Sequence, residues 1–165
     1  MSVYSLYAIT ENIVSLWVYL IHCCEKRETI ILSGDRILRS DIFRDIRDSI
    51  GSTLAALGPK YYFVVPKDSV VVRENMVVEI GGKSPYVSGG IVKISEDDVF
   101  QLLDSVQEIL REKSGIQKWY IEAVGRMIEK GRRVKALIFP DNYCLNVNRP
   151  ADLRDGLEVS KEWID

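Results

Sequence analysis

Thr29-Ile30-Ile31-Leu32-Ser33-Gly34-Asp35 reads as a buried strand that runs into a tight turn and ends in a carboxylate. In an open α/β sheet, ligands bind outside the carboxyl ends of the strands. A carboxylate delivered there can hold a hard cation such as Mg2+, which takes oxygen ligands and usually one or two carboxylates. Asp35 is therefore a candidate metal ligand; its plainer role is to cap the turn or the helix that follows. A second group of potential ligands is His22-Cys23-Cys24. Consecutive helical residues point about 100° apart, so these side chains diverge rather than converge on one ion. His22 is the only histidine, so a Ser–His or Cys–His nucleophile would have to be built on it. Its apolar surroundings make it a core or interface residue instead.

The elements that would position these residues alternate between strand and helix. Val3 to Ile9 suits a strand, and Thr10 or Asn12 can cap a helix running to about Lys26. That helix is apolar nearly all round from Ile13 to Cys24, so it should be buried or docked on a partner, and it is too short to span a bilayer. Ser40 is placed to cap a helix over Asp41 to Ile50, with Ile42, Phe43, Ile46 and Ile50 on one face. Gly51 to Pro59 reads as a loop or helix end, and Tyr61 to Val65 as a strand stopped by Pro66. Val70 to Arg73 and Met76 to Ile80 flank Glu74-Asn75, a two-residue hairpin connection. Tyr86 to Ile94 is a strand interrupted by Gly89-Gly90, which marks either a bulge or a ligand's close approach to backbone. Ser95 with Asp98 resembles a capping box for a helix to about Lys113, and a second helix runs from about Lys118 to Lys130. Val134 to Phe139 is a strand closed by Pro140, Tyr143 to Val147 is short and extended, and Pro150 opens a last helix to Trp163.

A chain of 165 residues, 47% hydrophobic and 28% charged, suits one globular domain over residues 1–165. The net charge of −2, with both signs interspersed, lacks the basic footprint of a nucleic-acid binder. Three cysteines, two of them adjacent, do not make a disulfide framework, which points to the cytoplasm. No segment reads as a signal peptide.

Four segments belong together. They are Thr10-Glu11-Asn12-Ile13-Val14-Ser15-Leu16, then Leu32-Ser33-Gly34-Asp35, then Glu79 to Ile91 with its paired glycines, then Asn146-Val147-Asn148-Arg149-Pro150-Ala151-Asp152-Leu153. In this order and spacing the chain resembles the nucleotidyltransferase family of sugar-phosphate nucleotidylyltransferases and phosphocholine-type cytidylyltransferases. The first segment looks like that family's Thr-Asn-Asn-Ile-Tyr-Ser-Leu helix start, the second like its Gly-Asp metal turn. The fourth looks like its Glu-Ile-Asp-Thr-Pro-Glu-Asp-Leu tail. The resemblance implies a Rossmann-like α/β fold with a mixed sheet, of the nucleotide-diphospho-sugar transferase type, with a small β-hairpin insertion. It implies transfer of a nucleotidyl group from a nucleoside triphosphate to a phosphorylated sugar or alcohol, with Mg2+ as electrophile.

Carried over by position, the resemblance makes Asp35 and Asn148 metal ligands and sets Lys83 toward the acceptor phosphate. It sets Asn12 and Ser15 near the nucleotide. Gly89 and Gly90 would admit the acceptor, and Glu122 would face its head group, with Trp119 or Tyr120 packed on it. Each has a plainer role: Lys83 as a solvated surface lysine, Trp119 and Tyr120 as core, Gly89-Gly90 as a bulge, Asn12 as a helix cap.

The chain departs from the pattern in two places. The family begins with a strand and a glycine-rich phosphate loop, whereas the resemblance here starts at Thr10, so the first βα units are expected to be lacking. Gly81-Gly82 and Gly89-Gly90 do not open helices and cannot replace that loop. Asn146 and Asn148 stand where the family has carboxylates, and neutral ligands weaken a site for a hard cation. The expectation is thus a nucleotidyltransferase with activity retained or impaired. The alternatives are a degenerate homologue that serves as a binding or oligomerising subunit, and a glycosyltransferase-like domain that binds a nucleotide sugar. Missing βα units would leave the Ile13–Cys24 helix to a homo-oligomer or a partner chain.

Overall fold

A computed structural model describes residues 11–22, 26–59, 67–161 and 163. The strands expected at Val3 to Ile9 and Tyr61 to Val65, and the Cys23-Cys24 pair, lie outside the described residues. The elements that carry the fold are α1 (Asn12–His22), β1 (Thr29–Leu32), β2 (Arg36–Leu38), α2 (Ser40–Asp48), β3 (Thr53–Leu57), β4 (Val70–Arg73) and β5 (Met76–Ile80). They continue with β6 (Val87–Ile94), α3 (Val99–Leu110), α4 (Tyr120–Glu129), β7 (Val134–Phe139), β8 (Cys144–Asn146) and α5 (Pro150–Lys161). A 3-10 turn, Gly115–Gln117, joins α3 to α4.

Six strands form one sheet in the order β1-β6-β3-β7-β5-β4. Its central pair, β3 and β7, is parallel, and the other pairs are antiparallel. The mixed α/β fold implied by the four segments is the fold observed. One face of the sheet, including Leu54, Val92, Ile94 and Ala136, packs on Ile13 and Leu16 of α1, Leu102 and Val106 of α3, and Val124 and Met127 of α4. The opposite face, including Ala55, Leu57, Ile91 and Phe139, packs on Ile42 and Ile46 of α2. Helices thus cover both faces, as parallel pairing in the middle of a sheet requires.

Several local expectations change. Residues 51–59 do not form a loop: Thr53–Leu57 is a central strand, and all of β3 is buried. Buried on both faces, it has no polar side to alternate with. Helix α1 buries only one stripe, Ile13, Leu16 and Leu20, while Val18, Tyr19 and Ile21 are exposed. Ser40 lies inside α2, where the N-cap is Arg39 and the Asp41 carboxylate accepts from the Ile42 amide at 2.9 Å. Asp98 precedes α3 and binds the hydroxyls of Ser52 and Ser95 at 2.6 and 3.1 Å, pinning the helix start to the sheet. At Gly89-Gly90 the bulge is present: opposite the step from Leu54 to Ala56, β6 advances from Val92 to Ser88.

Candidate functional site

Beyond the main sheet, β2 and β8 form a separate antiparallel ribbon, with Arg36 opposite Asn146 and Leu38 opposite Cys144. The ribbon builds the site. Just before it, the Val147 amide donates to the Asp35 carbonyl at 2.8 Å, so Asp35 and Asn148 sit at the same end. On the other side of the turn, the Ser33 amide donates to the Gly90 carbonyl at 2.8 Å and ties β1 to the bulge. Asp35, Asn146 and Asn148 line a cleft of about 460 Å3, faced by Asn12, Trp119 and Tyr120 from the α1 and α4 side. The Asn12 amide oxygen accepts from the Tyr120 backbone N–H at 2.7 Å, capping α4 from another helix and fixing both residues against the cleft.

Asn12, Asp35, Gly90 and Asn148 therefore meet in one cleft. Ser15 lines an adjoining groove of about 520 Å3 between α1 and β1, which shares Asn12, Ser33, Asp35 and Tyr120 with the cleft. The remaining residues fall elsewhere. Gly89 is buried, and its carbonyl accepts from Cys144 Sγ at 3.4 Å. Lys83 is exposed and is not among the cleft-lining residues. Glu122 accepts from the Trp119 amide at 3.2 Å, pairs with Lys118 at 2.8 Å, and lines a different cleft with Glu112 and Arg126.

Sequence reasoning missed Arg36, whose side chain is 16% exposed and whose Nε lies 3.8 Å from the Asp35 carboxylate. Its signal was its place directly after the candidate ligand, which read only as one charge in a mixed surface run. Tyr120, expected to pack on an acceptor's head group or in the core, lines the cleft, and its hydroxyl is buried. Burial pushes that phenol above its ordinary pKa; the Ser33 hydroxyl, the Arg36 charge and the Ser88 hydroxyl oppose the shift. Tyr120 is thus a protonated donor at neutral pH.

Asn148 is held by α5. The Asp152 carboxylate accepts from the backbone amides of Asn148 and Arg149 at 3.0 and 2.8 Å. Chiefly through the Asn148 amide, this lowers its pKa below the ordinary 3.8. A depressed carboxylate contributes stability above the unfolded pKa and loses it as pH falls through the folded one. Protection of the Asn148 and Arg149 amides should accordingly be full above about pH 4 and fade below it. At neutral pH, Asp152→Asn should speed their hydrogen exchange roughly threefold to tenfold.

The cleft's carboxylate and amide groups carry the oxygen donors that a hard cation such as Mg2+ takes. Asp35, with its side chain 49% exposed, lines the cleft together with Glu11, Asp68, Asn146 and Asn148. Among the described residues no group of three or more His, Cys, Asp or Glu could hold an ion by itself. No described helix is long and apolar enough to cross a membrane.

No family model and no curated protein matches the sequence. Solved structures do share its fold. CTP:phosphocholine cytidylyltransferase from Streptococcus pneumoniae superposes with a TM-score of 0.74 at 16% identity, over 93% of this chain and 65% of that one. Inositol-1-phosphate CTP transferase from T. maritima gives 0.66 at 16% identity, over 94% and 63%. Nucleoside-diphosphate-sugar pyrophosphorylase from Vibrio cholerae gives 0.58 at 12% identity, over 90% and 65%. The chain thus spans slightly less than two thirds of the length of each, and across that span it shares their mixed α/β fold.

Proposed function

We propose that the chain, acting as one domain, transfers a nucleotidyl group from a nucleoside triphosphate to a phosphorylated alcohol or sugar in the Asp35 cleft. One observation carries the reading: a fold shared with two CTP-dependent transferases has Asp35 and Asn148 on the wall of a single cleft. In such a reaction an acceptor phosphate oxygen attacks the α-phosphorus. The bond from that phosphorus to the oxygen bridging to the β-phosphate breaks, and pyrophosphate leaves with the electron pair. Asp35 and Asn148 would hold Mg2+, which when bound neutralises charge on the transferred group. Asn12 and Tyr120, locked together by their hydrogen bond, keep the facing wall in place.

The test is pyrophosphate release from CTP, UTP, dTTP and ATP in turn, with phosphocholine, inositol 1-phosphate or glucose 1-phosphate as acceptor. Release with one pair, reduced at least about 100-fold by Asp35→Ala, is the expected result. A second reading, a binding subunit without turnover, is favoured by the neutral Asn146 and Asn148 and by the guanidinium beside Asp35. Saturable nucleotide or phospho-alcohol binding, no release with any pair, and indifference to Asp35→Ala would establish it instead.

A further inference from the structure

Among the described residues, three buried side-chain polar atoms have no hydrogen-bond partner: Arg36 Nε, Tyr120 Oη and Ser105 Oγ. The first two belong to residues that line the same cleft. Tyr120 is only 5% exposed, and Arg36 reaches Asp35 no closer than 3.8 Å, beyond a hydrogen bond. A guanidinium has donors and no acceptor, and a protonated phenol donates readily. Two donors in one cleft, one of them cationic and the other with only the Ser33 and Ser88 hydroxyls beside it, call for an anionic oxygen.

The seat for Arg36 is built into the sheet. Gly90 has φ +76°, and a Cβ there would lie 2.9 Å from Arg36 Cγ and 3.0 Å from its Nε. The missing side chain leaves room for the arginine stem to lie over the bulge. Ser33 and Ser88 complete the polar surroundings of the tyrosine.

We infer that Arg36 and Tyr120 together bind the phosphoryl oxygens of a phosphomonoester directly, with no metal ion between them. Charge sets the class of ligand. Among the described lining residues Glu11, Asp35 and Asp68 outnumber Arg36, so a bare polyphosphate meets more repulsion here than a single phosphate group does. A single phosphate group placed on Arg36 is the anion this lining accommodates. The inference rests on the proposed function only for calling this ligand the acceptor; the binding itself stands on the two donors.

The experiment is calorimetric titration of the whole chain with phosphocholine and with inorganic phosphate, in EDTA and then in Mg2+. Saturable phosphocholine binding in EDTA, changed less than about threefold by Mg2+, is expected. Arg36→Gln should weaken it about tenfold or more, and Arg36→Lys, which keeps charge but loses the planar fork, should fall between. Tyr120→Phe removes only a hydroxyl and keeps the core packing; it should weaken binding about threefold to tenfold even if the arginine variants fold poorly. Binding that needs Mg2+, binding unmoved by Arg36→Gln and Tyr120→Phe, or no binding by the folded chain would each overturn the inference. Arg36-dependent binding without pyrophosphate release would sink the proposed function alone, and release with phosphate binding indifferent to Arg36 would sink this inference alone.

Discussion

Gly115→Ala should lower the thermal unfolding midpoint by on the order of 10 °C, through a loss of about 3 kcal/mol or more. A Cβ at this position would lie 1.9 Å from the Ile109 carbonyl oxygen and 2.8 Å from the Leu110 Cα. Both are backbone atoms, so no rotamer change relieves the clash. The last turn of α3 would have to open, breaking the bonds that the Glu112 amide makes to Ile109 and the Gly115 amide to Glu112, each 3.0 Å. The damage would reach the cleft, because the next residue, Ile116, accepts from the Glu11 amide at 2.8 Å at the start of α1. Asn12 follows, and its hold on Tyr120 would shift with it. Gly34→Ala is the control: nothing lies within 4 Å of a Cβ there, and it should stay within about 0.5 kcal/mol of the parent. Equal midpoints for the two variants would refute the argument.

Lys93→Met should cost about 2–4 kcal/mol in urea unfolding, with an unchanged m-value. Lys93 sits in β6 with 2% exposure, an unusual burial for an ammonium. It is tolerated because the ammonium donates to the carbonyls of Arg47, at 2.9 Å, and Ser49, and lies 3.3 Å from the Glu28 carboxylate. Those carbonyls belong to the end of α2, where a helix leaves acceptors without partners. Methionine fills similar space but donates nothing, stranding two acceptors beside a buried strand. Glu28 is half exposed, so Glu28→Gln should change stability by no more than about 1 kcal/mol. A Lys93→Met variant as stable as the parent would show that the helix end needs no charge to close it.

Legibility differed from element to element. The hairpin at Glu74-Asn75 was readable because two adjacent polar residues between β-branched runs can both take positive φ, and they do, at 48° and 59°. Strand β7 was readable because Pro140 ends it and its pattern half-alternates. Strand β3 was not, since Thr-Leu-Ala-Ala-Leu is small, apolar and buried on both sides, with no period to detect. Pairing far along the chain gave it its strand form. At the site, Asp35 stood out from its local turn, but its approach to Asn148 depends on the β2–β8 register. No local pattern encodes their place in one cleft; only the resemblance suggested it. Gly90 was recognised as special for its lack of a side chain. The reason became visible only with Arg36 lying over it.

The β2–β8 ribbon also sets an order on synthesis. The strands of the six-stranded sheet are all present once Phe139 has been made. Asp35 emerges far earlier, yet β2, which follows it, has no partner strand until Cys144 to Asn146 are made. A nascent chain can therefore assemble its main sheet while still lacking one wall of the cleft, which closes only with the last strand and the helix behind it.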